Sequence, residues 1–502
     1  MAEIKTTSCR SCGCITDYYT TNCYKRYESK EGPRGPPKTR NPIKLAFGSS
    51  SGIPGTCFIH NDKLYTMGIF AYGYNISDPN ITPTVLSAFN PPESWVKVIA
   101  SRTNVMALGS NGNVYVMGEN DVGQLGNGSV SGTEQKYMTA VKINDLEILE
   151  NIVDISGPLS GVSLGSATLS AISKNGEVYV WGNGINGCLG DGTTPASIVF
   201  ASKVVYFDGT SDKFAVSMSM GPIGDESHFA VVTKTGTAVT WGAQNEGCLG
   251  NLVDSTTPVA SPFAVPNPPE TFKLPYVSGN NIRFLMSDGT TMAAGANLVG
   301  EIGNGNQVQN NIFEFGIISG TADVLENIIK LEMVGDETFT VALDTSSRLW
   351  YCGSNTRGQA GDGTVVNVET GFEQISHSKP IINFWTFGSE IESAFVLFQD
   401  STNAIYGAGS NASGQLAAGS PSSSHLTFIK SLIDPRIRII DLHVYGRENQ
   451  SIDNNTTGCA ILSLEDGSAI GIGAPTSGQT GVWSSLVDIS IVEYPRSVFG
   501  FL

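Results

Sequence analysis

The chain has 502 residues, with 29 Lys/Arg against 46 Asp/Glu, a formal charge of −17, and 15% charged residues in all. Typical soluble domains carry roughly 25%. No apolar run approaches the ~18 residues that a membrane-spanning helix needs, and so acidic a chain repels the phosphate backbone of nucleic acid. Glycine, at 58 copies, is abundant without the strict triplet period of collagen, which points to a turn-rich all-β protein.

Residues 1–44 stand apart. They hold nine Lys/Arg and four Asp/Glu, leaving residues 45–502 with a balance of −22. The start, MAEIKTTSCR, lacks the apolar core of a secretory signal. Four thiols follow within fifteen residues: Cys9, Cys12, Cys14 and Cys23. Such a set can hold zinc as four thiolates, form disulfides, or remain free, and spacing alone does not separate these outcomes. After them comes the run GPRGPP at 32–37. Its prolines remove backbone donors and favour extended geometry, so 1–44 reads as a Cys-rich basic tail and linker.

From residue 45 a periodicity takes over. Residues 170–192, SAISKNGEVYVWGNGINGCLGDG, give its clearest form: an apolar strand, an Asn-Gly turn, a second strand stopping at Gly182, then a Gly-punctuated loop. Apolar alternation across Asn-Gly is a strong hairpin signal. A short leading strand is expected before each hairpin, at 45–48, 96–100, 153–157, 214–218, 274–279, 329–335, 384–388 and 439–445. The hairpins end at Gly68, Gly118, Gly182, Gly242, Gly295, Gly353, Gly409 and Gly473, about 50 to 64 residues apart. A unit of that length cannot bury both faces of its own sheet, so its neighbours must do it. The large residue before the terminal Gly, as in VYVWG at 178–182 or AVTWG at 238–242, is expected to pack between neighbouring sheets.

The strand endings VYVMG, VYVWG, AVTWG and LWYCG, together with the loops NDVGQLGNG, INGCLGDG and NTRGQAGDG, resemble the repeats of the regulator of chromosome condensation family. That resemblance covers about residues 43–495 and implies a β-propeller of four-stranded blades. Seven repeats are usual there, whereas eight units are counted here, so seven or eight blades are expected. Strands from the N- and C-terminal ends, with 486–491 as the C-terminal candidate, should close the ring. The resemblance also implies two kinds of role, since the founding member exchanges guanine nucleotide on a small nuclear GTPase and others serve as binding platforms. Its exchange machinery has no counterpart that can be matched residue by residue here, so no active site is carried over.

Enzyme signatures are missing from the sequence. It has no phosphate loop, no His-Glu-x-x-His and no Gly-x-Ser-x-Gly elbow. His60, His228, His377, His425 and His443 are scattered, and His228 reads as a packed structural residue. Asp191-Gly192, Asp288-Gly289, Asp362-Gly363 and Asp466-Gly467 read as turn chemistry. Cys57, Cys188, Cys248, Cys352 and Cys459 read as small buried residues.

The sequence therefore points to a non-enzymatic interaction or structural propeller, anchored by its tail to a larger assembly. Coat or scaffold proteins are the expected partners, as in a virion or host-attachment component. The alternative is an intracellular regulator that binds a small GTPase or another enzyme through one propeller face. No cofactor is expected apart from zinc at the four tail cysteines.

Overall fold

The structure is a computed structural model. It describes residues 44–445 with gaps in several connections, chiefly 69–79, 158–167 and 388–393, and beyond them only 459–464, 469–473 and 496–497. The chain divides into two units, Met1–Thr39 and Arg40–Leu502, and all described residues belong to the second.

Among the described residues the strands form eight four-stranded antiparallel sheets, each built from four strands consecutive in the chain. These are blades 1 to 8, spanning 44–85, 95–140, 152–203, 215–264, 272–315, 328–375, 381–430 and 439–497. The first unit, which lacks a Gly-x-Leu-Gly loop, thus has a complete sheet of its own. The innermost strand of each blade lies beside that of the next, and Ile439–Tyr445 of blade 8 lies beside Lys44–Ser50 of blade 1. N- and C-terminal strands close the ring in this way, side by side in two sheets rather than within one. Residues 486–491 fall outside the described residues.

The core lies between blades. One cluster joins Cys57, Ile59 and Leu64 of blade 1 to Trp95, Val98 and Val105 of blade 2. Another joins Val341 and Leu349 of blade 6 to Phe384 and Val396 of blade 7. Second strands such as Asn104–Gly109, Phe339–Asp344 and Phe395–Asp400 are buried at every residue. A strand covered on both faces loses the period-two pattern of a half-buried one. Burying a Val, Leu or Phe side chain contributes about 1.5–3 kcal/mol, so each blade depends on its neighbours for much of its stability.

The Trp of the strand ending does bridge neighbouring blades. Trp181 is fully buried and donates its indole N–H to the Gln124 carbonyl of the preceding blade at 3.0 Å. Trp241 donates in the same way to Cys188 at 3.0 Å, and its ring stacks on Phe229 at 4.6 Å. The hairpin turns need a residue with positive φ. Gly176 (φ 73) and Gly236 (φ 78) supply it in blades 3 and 4, Ser347 and Asn403 (φ 62 each) in blades 6 and 7. There a buried aspartate compensates: Asp344 accepts from the Ser346 and Arg348 amides, and Asp400 from the Thr402 and Ala404 amides.

Candidate functional site

The innermost strands surround the propeller axis, and in blades 2 to 8 each carries one extra residue near its start. Pairing skips Val96, Val153, Val216, Lys273, Ile329, Ile382 and Ile440 in turn. A bulge leaves its extra residue out of the ladder and re-aims its side chain. Val153 is 57% exposed, Val216 50% and Ile329 38%. The bulges of blades 3, 4 and 6 thus each expose a β-branched side chain at one end of the axis, a partial collar with Lys273 of blade 5 between the last two, while Val96 of blade 2 packs partly buried against the core. Apolar side chains displayed in this ordered way, at one end of a ring, form a surface for a protein partner.

Just inside the collar, polar side chains tie blade to blade. Lys97 of blade 2 donates to Asp154 Oδ1 (2.7 Å) and to the Ile155 carbonyl (2.8 Å) of blade 3. Lys330 of blade 6 repeats this on blade 7, donating to Asn383 Oδ1 at 2.9 Å and to the Phe384 carbonyl. Two places further along, Ser219 Oγ accepts from the Val277 amide, and Glu332 accepts from the Thr386 amide and hydroxyl. Both partners of the Lys97–Asp154 pair are about two-fifths exposed. An ion pair so open to water adds little stability.

The opposite end is formed by the Gly-rich connections between third and fourth strands. Here the structure reveals a residue that the sequence reading passed over. In blades 2, 5, 6 and 7 an Asn two places after the strand-ending Gly holds the loop from inside. Asn355 Oδ1 accepts from the Ala360 amide at 2.9 Å while its Nδ2 donates to the Thr364 and Val366 carbonyls. Asn297 does the same with the Ile302 amide and the Asn306 and Val308 carbonyls, and Asn120 and Asn411 accept from Leu125 and Leu416. The signal was available as a recurring Gly-x-Asn. The Gln of the recurring Gly-Gln pair, Gln359 in this blade, accepts from the Arg357 amide in its own loop, which makes it structural. Asn355 is fully buried, so Asn355→Ala strands buried backbone groups and is expected to cost about 2 kcal/mol. Urea denaturation checks this, and a loss under about 0.5 kcal/mol would show that the loop holds itself.

Cys9, Cys12, Cys14 and Cys23 lie outside the described residues. Cys57, Cys188, Cys248 and Cys352 are buried, and burial pushes the thiols of Cys57, Cys248 and Cys352 up to about 12. These thiols stay protonated and unreactive. His228 is fully buried. His377 packs edge-on between Phe398 and Tyr406 at 4.8 and 4.6 Å. The turn aspartates bond within their own turns: Asp191 to Thr193, Asp288 to Thr290, and Asp362 to Thr364. Among the described residues no group of His, Cys, Asp and Glu is arranged to hold a metal ion. Nor is any helix long and apolar enough to cross a membrane.

An eight-bladed ring with Trp bridges and Gly-rich outer loops defines a class, the four-stranded β-propellers. No family model matches the chain, yet known proteins do. It is 26% identical to the ultraviolet-B receptor UVR8 of Arabidopsis thaliana over 58% of this chain and 60% of the receptor. It is 26% identical to the human probable E3 ubiquitin-protein ligase HERC3 over 58% of this chain and 27% of that protein. It is 33% identical to the human X-linked retinitis pigmentosa GTPase regulator over 32% of this chain and 15% of that protein. Among solved structures, yeast Prp20p aligns with a TM-score of 0.53 at 14% identity, covering 88% of this chain and 94% of that one. The chain is a propeller built of regulator of chromosome condensation repeats. It spans 60% or less of the curated relatives named here. One expectation is corrected by these matches. The lack of catalytic motifs suggested a non-enzymatic protein, but the same repeats occur in a probable ubiquitin ligase, so missing motifs in a propeller do not set it apart from enzymes.

Proposed function

We propose that this chain is a protein-interaction propeller that regulates a partner protein, a small GTPase or another enzyme, held over the collar end of its axis. The observation that carries this reading is the set of exposed β-branched residues Val153, Val216 and Ile329, presented by bulges in blades 3, 4 and 6. The relatives' names support it over a virion or host-attachment role, since one is a GTPase regulator and the solved yeast propeller is described by its binding to Gsp1p and histones. In this reading residues 45–502 are the interaction module. Residues 1–44 are an appended basic arm, whose Cys9, Cys12, Cys14 and Cys23 would hold zinc or form disulfides.

The test combines two variants of the full chain with small GTPases from its own source. Faster nucleotide release is expected, lost in Val153→Asp/Val216→Asp/Ile329→Asp and kept when residues 1–44 are removed. The opposite pattern would restore the attachment reading: cross-links to coat or scaffold proteins that vanish with residues 1–44 and ignore the collar substitutions.

A further inference from the structure

The Gly-loop end of the ring carries side chains that the repeat itself does not require. In the loops of blades 2, 3, 4 and 6 one residue donates its amide to the outer strand of the next blade. Gly128 donates to Val199 (2.9 Å), Gly192 to Ala260 (2.8 Å) and Gly363 to Leu426 (2.8 Å), with φ of 91°, 88° and 88°. In blade 4 the same bond, to Asn311 at 2.9 Å, is made by Leu252 at φ 67°. A left-handed backbone disfavours any side chain with a Cβ, and this leucine is 67% exposed, so packing does not repay it. Strain without a folding benefit is a pointer to function.

Leu252 has company. Val253 beside it, Leu298 and Val308 on blade 5, and Val365 and Val366 on blade 6 are all exposed aliphatics of the same connections. The surrounding charge is negative. The three connections, 243–258, 296–309 and 354–367, contain one basic residue, Arg357. Against it stand Glu246 and Asp362 in the connections themselves and, on the fourth strands beside them, Glu314, which accepts from Asn304 at 2.7 Å, and Glu369, which accepts from Gln307. Aliphatic tips set among carboxylates complement a segment that alternates aliphatic and cationic side chains.

We propose that the rim of blades 4 to 6 at the Gly-loop end docks a cationic, aliphatic-rich segment of a protein partner. This surface is separate from the collar, which lies at the other end of the same antiparallel strands, so each can fail without the other.

The test uses the full chain and a fluorescein-labelled twelve-residue synthetic peptide of alternating Lys and Leu, followed by anisotropy. Analogues carry Ser for Lys or Ser for Leu. The parent peptide is expected to bind, with each analogue weaker by about tenfold or more. Leu252→Gly should weaken binding by about fivefold while raising the melting temperature, a combination that misfolding does not produce. Glu369→Gln should weaken binding without lowering that temperature. Failure of the parent peptide to bind would overturn the proposal. So would unchanged affinity in Leu252→Gly and in Leu298→Ser/Val366→Ser, or equal binding of the Ser-for-Lys peptide.

Discussion

Replacing Arg283 with alanine is expected to destabilise the protein by about 4 kcal/mol, in the range for breaking a buried charged network. Arg283 is fully buried in the second strand of blade 5. One guanidinium nitrogen donates to both the Glu301 and Ile302 carbonyls at 2.8 Å, the other to Thr291 Oγ1 at 3.2 Å. The cation lies 5.5 Å from the centre of the Phe372 ring in blade 6. Burial lowers its pKa, while Cys352 and Glu301 oppose that shift. The group is in effect always charged. Its position explains a gap in the repeat pattern. Blades 3 and 4 carry Trp181 and Trp241 just before the Gly that closes the third strand, each pinned to the preceding blade's loop, whereas blade 5 has Ala294 there. Arg283 secures blade 5's own loop instead, and Cys352 of blade 6 donates to the same Glu301 carbonyl at 3.5 Å. Arg283→Met, which keeps the volume but abandons two carbonyls, should cost about 2 kcal/mol. Denaturant midpoints decide this, and a loss below about 1 kcal/mol for alanine would mean that the loop holds without Arg283, as through the bonds that Cys352 and the Thr340 hydroxyl (3.3 Å) give the Glu301 carbonyl.

The second large effect is a pH dependence centred on His228. The residue is fully buried at the start of the second strand of blade 4. Neither ring nitrogen meets a partner at bonding geometry. Burial drives its pKa from 6.5 down to about 3, and the nearby Asn281 backbone offsets that only in part. Between these two values the unfolded chain binds a proton that the native state refuses. Native stability therefore falls as pH drops below about 6.5 and keeps falling toward 3. The loss attributable to this residue should reach roughly 2 kcal/mol by pH 5. Asn104 and Asn281 occupy the same place in blades 2 and 5, so His228→Asn is the natural control. The variant should show a shallower fall in denaturant midpoint between pH 7 and 5, since contributions from carboxylates cancel in the comparison. Parallel curves would mean that the histidine is protonated, or exposed, in the folded protein.

How much of this could be read from the sequence depended on whether a feature was local. The strand endings at Gly118, Gly182, Gly242, Gly295, Gly353 and Gly409 are local, and each closes a third strand or lies within one, as at Gly118 and Gly409. The inter-blade placement of Trp181 and Trp241 followed from the same period. The collar was not legible, because a bulge is a property of pairing between two strands and Val153 reads as an ordinary strand residue until its partner skips it. Arg283 sits in Asn-Ile-Arg-Phe-Leu-Met, an apolar run that marks a buried strand, but the carbonyls that accept from it arrive with a loop eighteen residues later. Leu252 and the Asn of Gly-x-Asn were legible in principle: aligning the loops sets Leu252 against Gly192 and Gly363, and puts an asparagine two places after Gly118, Gly295, Gly353 and Gly409.

The ring has one interface unlike the rest. Blades 1 to 8 are each complete in themselves, so the boundary between blades 8 and 1 has neither a shared sheet nor a connecting peptide, whereas each of the other boundaries is spanned by the chain. Mechanically this makes the propeller a split washer rather than a welded hoop. A pulling force on the two ends should part that seam first and then peel off blades from either side. Rejoining the ends with a short linker and cutting between two other blades would move the weak point to the new cut.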